Sequence, residues 1–341
     1  MDERKKICVI FTGGTIGSYS NGKIVDLKNE SHSALIDKYK SLYGGETVFD
    51  ELRPLNILSE NVQPGDLEIM ADCVRGINCN EYDGIILTHG TDTLCFTANL
   101  FSQLFCHLTI PLVFVSALYP LDDSRSNGLT NFAGAVTFIK SADYGGVFVS
   151  FQNKGEKCKI HLASRLISAV QISGEYDSIL NVPFGYIENE NFVHIENAIN
   201  PTLDQLKSKR NPCLSQKLCT DMVTIQAHSL LNFDYYRFTE VKPKAVMVQL
   251  YHSGTVCTKG KEANFKNFLS YCKSLGIEVV IAPIDSRARI YESALGLTEE
   301  CIGAFDISFE MATVKVLLAL GSGKSIRRSL EENNFFEKYY N

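Results

Sequence analysis

A short apolar strand that ends in two glycines constrains this chain more than any other stretch. Residues Ile7–Phe11 are apolar and predict a buried β-strand, and the motif Thr12-Gly13-Gly14-Thr15 follows it. Glycine has no Cβ, so the backbone can turn sharply at this motif and approach a ligand closely. The pattern therefore places Thr15 where a strand passes into a loop, which is where open α/β sheets bind their ligands.

Strand and helix patterns alternate through the rest of the first half. Apolar strand patterns cover residues 83–87, 111–115 and 146–151, and helical patterns lie between them. This alternation predicts an α/β fold with a mostly parallel sheet flanked by helices. The turn Gln152–Gly155 is a hairpin signal, so we expect antiparallel structure after the last of these strands.

The length of the chain predicts two domains, because 341 residues exceed what one hydrophobic core usually supports. We assign residues 1–190 to a larger N-terminal domain and residues 215–341 to a smaller C-terminal α/β domain. Residues 191–214 are rich in Glu, Asn, Lys and Pro and are predicted to be a linker.

Composition excludes several classes of function. The formal net charge of −6 argues against a broad phosphate-binding surface, so no nucleic-acid partner is expected. No apolar run is long enough to span a bilayer, and no signal peptide is evident, so we expect a cytoplasmic protein without membrane contact. Eleven cysteines then indicate reduced thiols, and because they lack CxxC spacing or neighbouring His pairs, no metal site is predicted.

Two further strand ends carry polar side chains. The cluster His89–Thr93 follows the strand at 83–87, and Ser59-Glu60-Asn61 follows another short apolar run. Taken alone, each cluster is typical of a helix N-terminus, where Ser, Thr and Asp cap the first turn. Parallel strands end at the same edge of a sheet, however, so we expect both clusters to lie near Thr15.

Lys140 has two interpretations. It is predicted near the end of a helix, where the helix dipole favours a solvated cation. Turned inward against Asp92, it could instead take the proton from a threonine hydroxyl, which is too weak a nucleophile unaided. Burial lowers a lysine pKa and a nearby carboxylate raises it, so the sequence leaves both interpretations open.

Together these motifs resemble those of the bacterial-type L-asparaginases. Thr12–Ile16 is similar to the N-terminal motif of that family, and His89–Thr93 is similar to its second motif. The resemblance extends through Ser59–Asn61, residues 116–131 and Phe309–Thr313, and so covers essentially the whole chain. The absence of a signal peptide makes the chain similar to the cytosolic type I branch.

The resemblance implies a nucleophilic mechanism and a small-molecule substrate. Thr15 would attack the side-chain amide carbon of L-asparagine, giving an acyl-enzyme and releasing ammonia. The polar relay that activates the nucleophile, and then water, would consist of Thr91, Asp92 and Lys140. No metal or organic cofactor is implied, because the activated threonine is itself the nucleophile.

The resemblance also implies contacts that suit a zwitterion. Ser59 would hold the substrate α-carboxylate, while Glu60 and Asp92 would hold its α-ammonium. Backbone N–H groups at the strand ends, with Thr91, would stabilise the developing oxyanion. The implied substrate-binding residues are Gly14, Ser59, Glu60, Gly90, Thr91 and Asp92.

The chain departs from the family pattern in the loop after the first motif. Family members usually carry a tyrosine there, whereas this chain has Gly22–Val25, and Tyr19 is the nearest tyrosine that could replace it. The family also tends to complete its site from the C-terminal domain of a neighbouring subunit. The resemblance therefore implies a homodimer or homotetramer, with Ser253 and Glu292 as the contributing residues.

Three functions follow from these observations. The first is an amidohydrolase for L-asparagine, with L-glutamine as a poorer substrate. The second is an amidotransferase-type subunit that shares the asparaginase core; it expects an additional N-terminal domain, for which the position of the first motif leaves no room. The third is an amino-acid sensor that binds without turnover, which the missing loop tyrosine favours and the intact Thr15, Thr91, Asp92 and Lys140 oppose.

Overall fold

The computed structural model describes residues 5–21, 24–27, 31–211 and 217–340, with only the backbone described between 17 and 33. The chain forms two compact units. The first contains residues 1–213 together with 334–336, and the second contains residues 214–333 together with 337–341.

Strands and helices alternate in the first unit. Its strands are β1 (Lys6–Ile10), β2 (Ser18–Asn21), β3 (Ile24–Leu27), β4 (Val48–Leu52), β5 (Gly84–Thr88), β6 (Pro111–Val115), β7 (Gly146–Gln152), β8 (Cys158–Leu162), β9 (Gly185–Glu188) and β10 (Asn191–His194). Its helices are α1 (Ser31–Tyr43), α2 (Pro64–Arg75), α3 (Thr91–Leu104), α4 (Gly128–Ser141) and α5 (Leu203–Lys207). Short 3₁₀ turns at Thr15–Gly17, Ser59–Asn61 and Ala163–Arg165 follow β1, β4 and β8.

The central sheet of this unit has eight strands in the order β10-β9-β8-β7-β6-β5-β1-β4. Strands β4, β1, β5, β6 and β7 run parallel, whereas β7, β8, β9 and β10 pair antiparallel. The predicted fold class is confirmed, and so is the antiparallel hairpin after β7. All the parallel strands therefore end at one edge of the sheet, which we call the carboxyl edge.

The core of the first unit lies between this sheet and its helices. Every residue of β5 and β6 is buried, as continuous apolar runs such as Gly84–Thr88 require in a sheet covered on both faces. Helix α4 packs against β6, β7 and β8, with α1 beside it, and α3 packs against β7. The helices are thus fixed to the sheet along the strands whose ends carry the polar motifs.

Two parts of this sheet differ from the expectations above. Strand β4 was not predicted because Val-Phe-Asp-Glu-Leu mixes apolar and acidic residues, which suits its exposed position at the end of the strand order. The stretch 191–214, predicted as a linker, contains β10 and α5, and residues up to 213 belong to the first unit. Its polar composition reflects an edge strand and surface turns.

The second unit is a smaller α/β unit. Its sheet has the order β11-β12-β13-β14 and is parallel throughout: β11 (Met222–Gln226), β12 (Ala245–Gln249), β13 (Glu278–Ile284) and β14 (Ile302–Phe305). Its helices are α6 (Phe265–Ser274), α7 (Leu297–Glu300), α8 (Phe309–Ser322) and α9 (Ile326–Glu331). Strand β14 was not predicted, because four residues that include Gly303 give too short a pattern. Of the helices described in either unit, none has the length and apolar character needed to cross a membrane.

Candidate active site

The glycines of the first motif bring two other loops against the end of β1. Gly13 forms a parallel bridge with Ile57, and a Cβ on Gly13 would lie 2.5 Å from both the N and O atoms of Ile57. The amide of Gly14 donates to the Ile57 carbonyl at 3.1 Å, and the amide of Ile57 donates to the Thr12 carbonyl at 3.0 Å. The loop that leads to Ser59 is thereby attached directly to the motif that leads to Thr15.

Gly14 makes the corresponding contact with the second motif. Its φ of +78° lies in the left-handed region, and a Cβ there would be 2.5 Å from the Gly90 nitrogen and 2.6 Å from the Gly90 Cα. Two residues before Gly14 and Gly90, the Thr12 hydroxyl donates to the Thr88 carbonyl at 2.6 Å. The two motifs therefore touch through backbone atoms, at a separation that only glycine permits.

Ser59 and Asp92 form a reciprocal pair at this junction. The Ser59 hydroxyl donates to Oδ2 of Asp92 at 3.1 Å, and the backbone N–H of Asp92 donates to Oγ of Ser59 at 3.1 Å. The Thr93 hydroxyl donates to the Ser59 carbonyl at 3.0 Å. Gly90, at the N-cap of α3, has no side chain, so Ser59 from another loop serves as the cap of this helix.

Five of the predicted site residues thus lie on three loops that meet at the carboxyl edge: Thr15, Ser59, Glu60, Thr91 and Asp92. Ser59 is buried, Thr15 and Thr91 are half-buried, and Asp92 and Glu60 are exposed. The first turn of α3 adds the positive end of a helix dipole. Hydroxyl and N–H donors beside carboxylates suit a ligand that carries both a carboxylate and an ammonium group.

Lys140 is not brought to this site, and the prediction that it faces Asp92 is wrong. It is exposed in the last turn of α4, in a groove that it shares with Tyr39, Glu190 and Phe192. Helix α4 connects the end of β6 to the start of the parallel strand β7, so its last turn lies at the amino edge. Fourteen helical residues span about 20 Å. The sequence pattern placed Lys140 correctly near the C-terminus of this helix, which is the interpretation as a solvated cation.

The remaining predicted site residues lie elsewhere. Tyr19 is in β2, but its side chain lies outside the described part of the chain. Ser253 and Glu292 belong to the second unit, where Ser253 shares a hydrogen bond of 3.0 Å with the Thr255 hydroxyl and Glu292 is exposed. Ser253 lines a cleft of about 580 Å³ in that unit. Their role in a neighbouring subunit's site stays a prediction.

One residue near the site was not predicted. Tyr176 is 1% exposed, and its hydroxyl donates to the backbone carbonyl of Thr91. It is separated from Thr91 by 85 positions and lies in no recognisable motif, so only the folded chain shows the contact. Among the residues that the structure describes, no group of His, Cys, Asp and Glu is arranged to hold a metal ion.

Comparison with known proteins places this geometry in a family. The sequence model described as "Asparaginase, N-terminal" matches residues 6–196, which is more than half of the chain and includes all three loops of the site. The chain belongs to the asparaginase family.

Curated relatives of this asparaginase-family chain match it over part of their length. It is 28% identical to L-asparaginase 1 of Escherichia coli K12 over 155 residues, which cover 45% of each chain. It is 34% identical to the L-asparaginase of Thermococcus kodakarensis over 100 residues, 29% of this chain and 30% of that one. It is also 32% identical to a glutamyl-tRNA(Gln) amidotransferase subunit of Thermoplasma acidophilum over 151 residues, 43% of this chain and 35% of the relative. The matched stretch thus spans less than half of each of these relatives.

Solved structures of the family share the whole fold. The thermostable L-asparaginase from Thermococcus kodakarensis superposes with a TM-score of 0.81 at 23% identity, covering 98% of this chain and 99% of the other. L-asparaginase I from Vibrio cholerae gives a TM-score of 0.78 at 21% identity, with the same coverage. At these identities the likeness concerns the fold.

The contact between the two motifs predicts the effect of a single methyl group at Gly14. We expect Gly14→Ala to lower the free energy of unfolding by more than about 2 kcal/mol, because alanine is disfavoured at φ +78° and its Cβ meets the Gly90 backbone. Urea unfolding measures the change. Gly45→Ala is the matched control, since a Cβ there meets nothing within 4 Å. Equal unfolding curves for the two variants would contradict the proposed contact.

His89 predicts a pH dependence of stability. Its Nδ1–H donates to the Gly90 carbonyl at 2.8 Å, and burial lowers the pKa of His89 from 6.5 to about 4. The neutral ring is therefore favoured in the folded chain. The contribution of the neutral ring to stability is complete above pH 6.5. As the pH falls from 6.5 towards 4, the free energy of unfolding decreases by about 3 kcal/mol.

Replacement of His89 measures this contribution. We expect the free energy of unfolding of His89→Gln to fall less steeply between pH 6.5 and pH 4 than that of the unaltered chain. His252→Gln, at an exposed histidine, should keep the original slope. An unchanged slope in His89→Gln would show that another group carries the pH dependence.

Proposed function

We propose that this chain hydrolyses the side-chain amide of L-asparagine to L-aspartate and ammonia, with Thr15 as the nucleophile. The observation that carries the proposal is the junction of three loops at Gly13 and Gly14, which gathers Thr15, Ser59 and the first turn of α3. Membership of the asparaginase family and the names of the E. coli and Thermococcus relatives support the same reaction.

Recognition of the substrate follows from the Ser59–Asp92 pair. In the structure the Ser59 proton is directed to the Asp92 carboxylate. An α-ammonium group placed against Glu60 and Oδ2 of Asp92 would occupy the acceptor of the Ser59 hydroxyl and free that hydroxyl to donate to the α-carboxylate. Oδ1 of Asp92 would remain as an acceptor. A single exchange of hydrogen bonds thus accommodates both charges of an amino acid.

The reaction needs a proton acceptor for the Thr15 hydroxyl, because an alcohol is a weak nucleophile. Lys140 lies at the opposite edge of the sheet, and we assign the proton to Asp92, the carboxylate next to Thr91. Attack by Oγ1 of Thr15 on the amide carbon would give a tetrahedral intermediate. Asp92 would then return the proton to the amide nitrogen, so that the C–N bond breaks and ammonia leaves. The N-terminus of α3, with the Thr91 hydroxyl, would stabilise the oxyanion. Water would then hydrolyse the acyl-enzyme.

A second function, binding of an amino acid without turnover, is favoured by one observation. Among the side chains that the structure describes, no lysine forms an ion pair with Asp92, whose side chain is bonded to Ser59. Lys140, which the sequence analysis placed in the relay, is exposed elsewhere. If Asp92 alone is too weak a base, the site would hold its ligand and release no ammonia.

Ammonia release tests the proposal. We expect the chain to release ammonia from L-asparagine, and Thr15→Ala to lower kcat by at least about 1,000-fold because the nucleophile is lost. Thr15→Ser keeps a hydroxyl and should retain measurable turnover. Lys140→Ala should change kcat less than about twofold, since Lys140 lies at the amino edge.

Each alternative gives a different result in the same assay. Turnover that survives Thr15→Ala would contradict Thr15 as the nucleophile. Loss of turnover in Lys140→Ala would contradict the position described for Lys140. Binding of L-aspartate by calorimetry, without ammonia release from L-asparagine or L-glutamine, would establish the binding function instead.

A further inference from the structure

A hairpin between β8 and β9 lies against α3, the helix whose first turn carries Thr91 and Asp92. Leu166 and Ser178 form an antiparallel bridge, and the amide of Ile167 donates to the Asp177 carbonyl at 3.1 Å. Further out, the amide of Val170 donates to the Glu175 carbonyl at 2.8 Å. We call residues 166–178 the 166–178 hairpin.

The first arm of the 166–178 hairpin is hydrogen-bonded to α3 at Leu166. The carbonyl of Leu166 accepts the Cys95 thiol at 3.2 Å and the Asn99 side-chain amide at 3.0 Å. Both donors are on α3, one and two turns beyond Thr91. The hairpin is therefore attached to the helix that carries Thr91 and Asp92.

The second arm of the hairpin carries Tyr176, whose backbone is hydrogen-bonded and whose ring is packed against a neighbouring ring. The amide of Tyr176 donates to Oδ1 of Asn153 at 3.0 Å, and Nδ2 of Asn153 donates to the Tyr176 carbonyl at 2.8 Å. The ring lies edge-on to Phe151, with ring centroids 5.0 Å apart. These contacts hold the hydroxyl group in the position from which it donates to the Thr91 carbonyl.

The phenol is a hydrogen-bond donor and not a base. Burial raises the pKa of Tyr176, and the nearby Cys95 and Asp92 raise it further. The hydroxyl therefore keeps its proton at neutral pH. Without a partner, a buried hydroxyl would cost about 1–3 kcal/mol, so the bond to Thr91 is strongly preferred.

One peptide group connects this donor with the site. The Thr91 carbonyl and the Asp92 N–H belong to the same planar unit. Tyr176 donates to its carbonyl, and Ser59 accepts from its N–H at 3.1 Å. The plane is thus held from both sides, and its orientation sets the direction in which the side chains of Thr91 and Asp92 leave the first turn of α3.

We propose that Tyr176 is a positioning residue of the amidohydrolase site, holding the Thr91–Asp92 peptide so that both side chains face the substrate. The inference rests on the proposed function. It means that kcat depends on a residue outside the three motifs. Tyr176 acts on the orientation of Thr91, the oxyanion donor, and of Asp92, the proton acceptor, whereas Ser59 and Glu60 keep their own contacts with the substrate. We therefore expect it to affect kcat more than the binding of substrate.

Tyr176→Phe tests this by removing one oxygen atom. We expect kcat for L-asparagine to fall about tenfold, with KM changed less than threefold. Tyr144→Phe is the matched control, because Tyr144 is also buried in the first unit but lies between α4 and β7 at the amino edge. It should keep kcat within twofold. Equal kcat values in the two variants would overturn the proposal.

A second measurement does not depend on turnover. Amide hydrogen exchange of Asp92 should be at least fivefold faster in Tyr176→Phe than in Tyr144→Phe, because the carbonyl side of the peptide loses its hydrogen bond to the phenol. Asn153→Ala, which releases the backbone of Tyr176 and leaves its phenol in place, should accelerate the same amide. If the unaltered chain releases no ammonia, the proposed function fails, while faster Asp92 exchange would still support the positioning role. Unchanged exchange in both variants would exclude it.

Discussion

The site depends on the close approach of backbone atoms at Gly13 and Gly14. A Cβ on either glycine would come within 2.5 Å of another loop, so the three strand-end loops can meet only where side chains are absent. Every contact of the site follows from this junction. Ser59 can cap α3 because its loop is bonded to the first motif, and Thr15 lies beside α3 because Gly14 touches Gly90.

The same junction supplies the groups that the proposed amino-acid substrate would need. Gly90 leaves the first turn of α3 without a side-chain cap, and Ser59 supplies the missing acceptor from another loop. The capping hydroxyl also donates to Asp92, so one serine connects the end of a helix dipole with a carboxylate. In the proposed function a zwitterion would replace the bond between them, which would couple binding of the ligand to the first turn of α3.

Sequence reasoning located the parts of this site that depend on short motifs at strand ends. Thr15, Thr91 and Asp92 each follow a buried parallel strand, and parallel strands bring such ends to one edge. The run before Ser59 is not a strand, since β4 ends at Leu52, and Ser59 reaches the same edge because its loop is bonded to Gly13 and Gly14. Lys140 was predicted at the wrong edge, although a helix between two parallel strands runs back along the sheet and ends at the amino edge. The predicted relay did not take this constraint into account.

Long-range side-chain contacts could likewise not be predicted from the sequence. Tyr176 contacts Thr91 through a hairpin 85 positions away, and the sequence between them carries no signal of the pairing. The edge strands β4 and β10 are half-polar because they are covered on fewer sides, so their composition was typical of loops. Buried strands and glycine turns are thus predictable, whereas edges and distant packing require the folded chain.

A crystal structure of the chain with L-aspartate, the product of the proposed reaction, tests the central claim most directly. The account predicts that L-aspartate lies at the junction of the three loops, with its ammonium group at Asp92, its α-carboxylate at Ser59 and its side-chain carboxylate beside Thr15. L-aspartate bound elsewhere in the first unit, with the Ser59–Asp92 pair unchanged, would contradict it.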